Sequence, residues 1–157
     1  MKEQKKKRLI KAGWLLFYFY IILLSYFLFF SERYGIDQYR YNLKFLKEIK
    51  RFIRYREQLG LKSFVVNIMG NVIAFAPFGF LLPLLNIKFR KIFYITFLSL
   101  LFSLSVEAVQ LIFKVGIFDV DDLLLNTIGG ITGYLAFAIC NRIARVVRLK
   151  KHKRRGK

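Results

Sequence analysis

Four apolar blocks dominate the chain, at residues 12–30, 64–86, 92–113 and 123–141, and Glu107 is the one charged residue inside them. A hydrocarbon core of about 30 Å needs about 20 residues of helix at about 1.5 Å rise each, so every block is long enough to cross. Backbone passing through lipid must satisfy its own hydrogen bonds, which selects helices. The expected fold is therefore all-α: a polytopic membrane protein with four transmembrane helices. The first block follows "KKKRLIK". It is longer than a signal-peptide core and no small-x-small cleavage site follows it, so it reads as a retained span.

Charge sets an expected orientation. The chain carries 28 Lys and Arg against nine Asp and Glu, a net charge of +19. Six cations precede the first block, three (Lys88, Arg90, Lys91) lie between the second and third, and nine follow the fourth. The positive-inside rule then puts residues 1–11, the link after 86 and the tail 142–157 in the cytoplasm. The loops 31–63 and 114–122 face outward. The cations flank apolar blocks and do not pattern a soluble face, which argues against nucleic acid as a partner. The single cysteine, Cys140, excludes an intrachain disulfide framework.

The loop 31–63 is itself basic, with nine Lys or Arg and four acids. Phe45, Leu46, Ile49, Phe52 and Ile53 recur at helical spacing, with Lys44, Lys47, Lys50, Arg51 and Arg54 between them. This pattern predicts an amphipathic helix between spans one and two. It lies either in the interface plane, its cations on anionic lipid headgroups, or as a solvated helix packed on the span ends.

Polar side chains inside spans are expensive and tend to face the bundle interior. Asn67 and Asn71 share a face of span two, Glu107 and Gln110 a face of span three, and Asp122 and Asn126 a face at the start of span four. Counted from the outer ends, Asn71 lies about 10 Å deep, Glu107 about 9 Å and Asn126 about 5 Å. The three helices therefore place polar groups in the same outer half of the membrane. Asp119 belongs to the preceding loop, and Asp121 and Asp122 have the position to cap span four. Glu107 needs a proton or donors, with the asparagine amides, Gln110 and Lys114 as candidates. Gly129 and Gly133 form a G-x-x-x-G pair beside Gly130, a packing signature. Pro77, with Gly79 nearby, interrupts the backbone hydrogen bonding of span two.

Three stretches in this order, "NIMGNVIAFAPFGFLLP", "SVEAVQ" and "FDVDDLLLNTIGGITGY", resemble the VanZ-like membrane proteins. The matching positions are Asn67, Gly70, Asn71, Phe75, Pro77, Gly79 and Phe80; then Glu107 and Gln110; then Asp122, Asn126, Thr127, Gly129, Gly130, Gly133 and Tyr134. "YNLKFLKEI" adds Asn42, Leu43 and Ile49, with Phe45 where proline is common in the family. Lys114 stands near the aspartates where the family often has arginine. The resemblance spans roughly residues 10–141 as one domain. It implies a small protein of the bacterial cytoplasmic membrane, linked to the cell envelope and to reduced sensitivity to the glycopeptide teicoplanin.

Three functional readings follow. In the first, an outward polar site of Asn67, Asn71, Glu107, Gln110, Asp119, Asp121, Asp122 and Asn126 binds membrane lipid, a lipid-linked wall precursor or a lipoglycopeptide, without catalysis. In the second, the protein is an enzyme on a lipid-linked phosphate, with Glu107 as acid or base and the D-x-D-D aspartates on Mg²⁺ or Mn²⁺. In the third, the polar groups only hold a scaffold together. The first reading is preferred; it assigns no metal and no cofactor, and no sequence feature sets an oligomeric state.

Overall fold

The computed structural model describes residues 2–30, 41–55, 57, 58, 60, 62 and 65–155. In chain order they form α1 (Lys2–Phe30), β1 (Tyr41–Asn42) and α2 (Lys47–Arg54). A π-helical turn, Val65–Met69, runs into α3 (Gly70–Leu85), and a 3-10 turn, Ile87–Phe89, leads to α4 (Ile92–Phe113). Last come β2 (Phe118–Asp119) and α5 (Val120–Arg155). Four helical stretches are long and apolar enough to cross a membrane: Lys7–Phe29, Val65–Leu85, Ile92–Phe113 and Val120–Lys150. α2 is the amphipathic helix expected between the first two; residues 31–40 of that loop lie outside the described residues.

Two helices outrun their apolar blocks. α1 begins at Lys2 and α5 continues to Arg155. The basic flanks are rich in Lys and Arg, which are good helix formers, and residues 142–155 contain no Gly or Pro to stop the helix. α5 also starts earlier than expected, at Val120. Asp121 and Asp122 thus sit in its first turn and not in the loop.

The α4–α5 connection is a tight reversal. Lys114 takes the left-handed conformation, φ 55°. The Lys114 N–H donates to the Leu111 carbonyl at 3.2 Å and Val115 N–H to the Gln110 carbonyl at 3.0 Å. This pairing closes a helix C-terminus, here with lysine where glycine is usual.

α3 and α5 form the central pair, in contact through backbone. A Cβ built on Gly79 would collide with the Gly130 carbonyl, and one on Gly133 with the Ala76 carbonyl. On its other side Gly130 lies against Ser99 of α4. Within lipid no hydrophobic force drives helices together, so close packing of this kind carries the association. α1 packs on α3 through buried Phe17, and the Tyr20 hydroxyl donates to the Ala74 carbonyl at 2.7 Å. Its outer face, with Leu15, Tyr18, Phe19, Ile22 and Leu23, is exposed and apolar, as expected of a surface against lipid.

The bundle is polarised along its axis. One half is aromatic: Phe78 stacks on Phe102 with ring centroids 5.1 Å apart and planes 7° apart, and Phe17 meets Phe78 at 6.0 Å. At the other end β1 and β2 pair in parallel, Tyr41 opposite Phe118 and Asn42 opposite Asp119. This two-residue bridge brings the connections after α1 and before α5 to the same end. The α3–α4 link lies at the opposite end, where the Tyr134 hydroxyl donates to the Arg90 carbonyl at 2.8 Å.

Candidate functional site

The site is built around the first turn of α5. Asp119 stands just before the helix, and its Oδ1 accepts the Asp121 N–H at 2.8 Å, capping the turn. The same carboxylate accepts from Asn42 Nδ2 at 3.1 and 3.2 Å, which fixes the β1 segment. The Asp119 N–H donates to Glu107 Oε2 at 3.0 Å, reaching across to α4. Burial pushes the Asp119 carboxyl above its ordinary range; the Asp121 N–H and the Asn42 amide oppose this, and the neighbouring charges of Asp121 and Glu48 add to it.

Asp121 is almost wholly buried. Its Oδ1 accepts the Leu46 N–H, and its Oδ2 accepts Glu48 N–H at 2.8 Å and Ile49 N–H at 3.2 Å. These are the orphan donors at the start of α2, so α5 supplies the cap that α2 lacks within its own sequence. A carboxylate there also meets the positive end of the helix dipole. Leu46 adopts φ 59°, a conformation costing an L-residue about 1–2 kcal/mol, which the Asp121 bonds offset.

Asp122 points elsewhere: Asn71 Nδ2 donates to its Oδ1 at 2.6 Å, joining α3 to α5. One turn further in, Asn126 Nδ2 donates to Ser103 Oγ at 2.9 Å, joining α5 to α4. Gln110 turns outward from this chain and donates to the Leu28 carbonyl at 3.1 Å, joining α4 to α1. Asn67 is exposed at the rim.

Between α2 and the end of the bundle lies a cleft of about 720 Å³. Its walls carry Lys47 and Arg51 from α2, the amides Asn42, Asn67 and Gln110, and the acids Glu48, Asp119, Asp121 and Asp122. Arg51 Nη1 holds Glu48 at 2.9 Å, with Lys47 at 4.0 Å. On the outer side of α2 a second cleft, about 280 Å³, is lined by Lys47, Lys50, Arg51, Arg54 and Tyr55. Four of the five cations expected to meet headgroups thus surround one concavity. The fifth, Lys44, precedes the helix, and its N–H donates to Asn42 Oδ1 at 3.4 Å.

Two expectations need correction. Asp121 does not cap its own helix, because Asp119 has taken that role and the Asp121 side chain is drawn to α2. Glu107 Oε2 receives the backbone N–H of Asp119, a donor outside the expected set of asparagine amides, Gln110 and Lys114. Asn42, Glu48 and Ser103 were not in the expected site. Asn42 and Glu48 enter through contacts across the chain, and the signal for Ser103 was its place one turn before Glu107 on α4. Among the described residues no group of three or more His, Cys, Asp or Glu is arranged to hold a metal ion. The aspartates, close in sequence, diverge to Asn42, to the α2 N-terminus and to Asn71.

Asn71, Glu107, Gln110, Asp122 and Asn126 at this end are all positions of the three motifs, and comparison with known proteins gives the same family. Protein VanZ of Enterococcus faecium is 28% identical over 130 residues, covering 78% of this chain and 71% of that protein. No solved structure matches the chain. Residues 17–141 match the family described as VanZ/LLP1, from within the first span to the end of the fourth apolar block, and the chain belongs to that family.

Proposed function

We propose that this is an envelope protein of the bacterial cytoplasmic membrane that lowers susceptibility to teicoplanin-type glycopeptides by binding, without catalysis, at the cleft under α2. Both termini and the α3–α4 link lie on the cytoplasmic side in this reading, which the distribution of Lys and Arg supports. The cleft then opens to the outer leaflet. The observation that carries the proposal is α2 itself: a helix bearing Lys47, Lys50, Arg51 and Arg54, hung over a polar cleft by a buried carboxylate. Its cations suit the phosphate of a lipid-linked wall precursor or an anionic headgroup, and the adjacent apolar helices suit a lipid tail. The carboxylates favour binding over chemistry, since each already holds a structural donor.

The test is expression in a susceptible bacterium with a lipid-bearing and a lipid-free glycopeptide side by side. Protection against the lipid-bearing drug, lost on replacing Lys47, Lys50, Arg51 and Arg54 by Gln in a protein still present at normal level, is the expected result. Equal protection by the substituted protein would refute the cleft as the site. Orientation is tested separately with Lys44→Cys in a Cys140→Ser background, which should react with an impermeant maleimide on intact cells.

A further inference from the structure

A second polar concavity lies at the opposite end of the bundle, far in the fold from the cleft under α2. It measures about 380 Å³ and is lined by Arg90, Arg142, Arg145, Asn141, Tyr134 and Phe137, with Ala138. The α5 members, 134, 137, 138, 141, 142 and 145, recur at i, i+3, i+4, i+7, i+8 and i+11, so they form one stripe of the helix. Along that stripe the chemistry changes from aromatic to cationic within about two turns. This is how a helix is marked where it leaves a hydrocarbon core for the headgroup layer.

Arg90 is held in place. Its Nε donates to the Pro83 carbonyl at 3.2 Å, and its guanidinium carbon lies 5.6 Å from the centre of the Phe137 ring. Tyr134 grips its carbonyl at 2.8 Å. The Nη groups of a guanidinium fixed this way are pre-organised for an anionic oxygen. No acid lines the concavity, and the sequence has none after Asp122 and none in residues 86–91. The ion pairs of Glu48 with Lys47 and Arg51 lie at the other end of the bundle, and among the described residues no carboxylate borders the three arginines.

An apolar groove of about 730 Å³ runs between α1, α3 and α5, lined by residues including Leu16, Pro77, Phe80 and Gly133. Phe80 of that groove meets Phe137 of the concavity edge-on at 6.3 Å. A site for a phosphate and a site for an acyl chain are therefore neighbours.

We propose that the Arg90–Arg142–Arg145 concavity binds the phosphate of an anionic glycerophospholipid. Three cations around one small concavity suit a phosphate, and the aromatic half of the stripe sets it at membrane height, where a lipid is the abundant phosphate carrier. The site does not depend on the cleft under α2 or on any effect on glycopeptides.

The experiment uses the full chain in detergent, titrated with phosphatidylglycerol, with phosphatidylcholine and with inorganic phosphate, and followed by native mass spectrometry and thermal unfolding. Phosphatidylglycerol should bind about tenfold or more tightly than phosphatidylcholine. The double substitution Arg142→Gln/Arg145→Gln should abolish that preference, while Lys150→Gln/Lys151→Gln, with the same change in charge, should alter it less than about twofold. Arg90→Lys should weaken it severalfold although charge is kept, because the fork is lost. Equal losses from the two double variants would overturn the proposal in favour of diffuse attraction. Displacement of the lipid by inorganic phosphate at matched concentration would overturn a lipid as the occupant. A lack of preference between the two lipids in the unsubstituted protein would overturn the site altogether.

Discussion

Asp121 Oδ2 accepts the backbone N–H of Glu48 at 2.8 Å, across 73 positions of sequence. A carboxylate in the first turn of the last helix thereby closes the first turn of the short basic helix after the first span. The basic helix is thus fastened to the rigid α3–α5 pair and does not hang from its own loop. Its place on the bundle rests on this carboxylate together with the Asn42–Asp119 bonds of the preceding segment.

Asp121→Ala should release α2 while the bundle stays folded. Three backbone donors lose their acceptor, an expected loss of about 1–3 kcal/mol local to that helix. Hydrogen exchange of the Leu46, Glu48 and Ile49 amides should speed up by about tenfold or more, with the amides of α3 unchanged. Unchanged exchange at these three would mean that the carboxylate is not the anchor.

Gly79→Val should break the contact between α3 and α5, because its side chain would enter the Gly130 carbonyl. Overpacking of this kind costs about 1–3 kcal/mol or more. Gly70→Ala is the control within the same helix: a Cβ there meets nothing within 4 Å. It should be neutral or stabilising by up to about 1 kcal/mol. Thermal unfolding in detergent measures both.

Glu107→Gln and Glu107→Leu separate a structural from a chemical role. The Gln amide oxygen still accepts the Asp119 N–H, so the fold should survive with little loss. Leu leaves that buried donor unmatched and should cost about 1–3 kcal/mol. If Glu107→Gln abolishes protection in a protein that unfolds at the normal temperature, the carboxyl does more than hold Asp119.

Asp119 should give stability a pH dependence of known sign. Its carboxyl binds a proton more tightly in the folded chain than in the unfolded one, since burial raises it. Over the window from about pH 4 up to the raised value, its contribution to stability falls as pH rises. Asp119→Asn should flatten that part of the profile, measured as unfolding temperature against pH. A profile of unchanged slope would show that the carboxyl is not perturbed by its surroundings.

Much of the fold was legible because lipid leaves few choices. Apolar length fixed the four spans, and the period of Ile49, Phe52 and Ile53 marked α2. The seam glycines were readable because small residues are what close helix contact requires, and Gly129 and Gly133 lie against α3 as that rule implies. Helix rise alone put Asn71, Glu107 and Asn126 in one half of the bundle, where Asn71 and Asn126 now bond across to other helices and Glu107 holds the Asp119 backbone.

The partners were not legible. A sequence pattern states which face and which depth a side chain occupies, because those follow from a helix of fixed rise and period. It does not state which of several donors at that depth is nearest, because that depends on rotation and spacing among helices far apart in the chain. So Asp121 and Asp122, adjacent and alike in sequence, were both expected as caps of one helix, and packing sent them to α2 and to Asn71. The sequence by itself determined that this protein lives in a membrane with Glu107, Asp119, Asp121 and Asp122 near one end of its spans. The tertiary structure decided that Asp121 among them ties the basic helix to the bundle, since hydrogen bonds form only where folding brings donor and acceptor within about 3 Å.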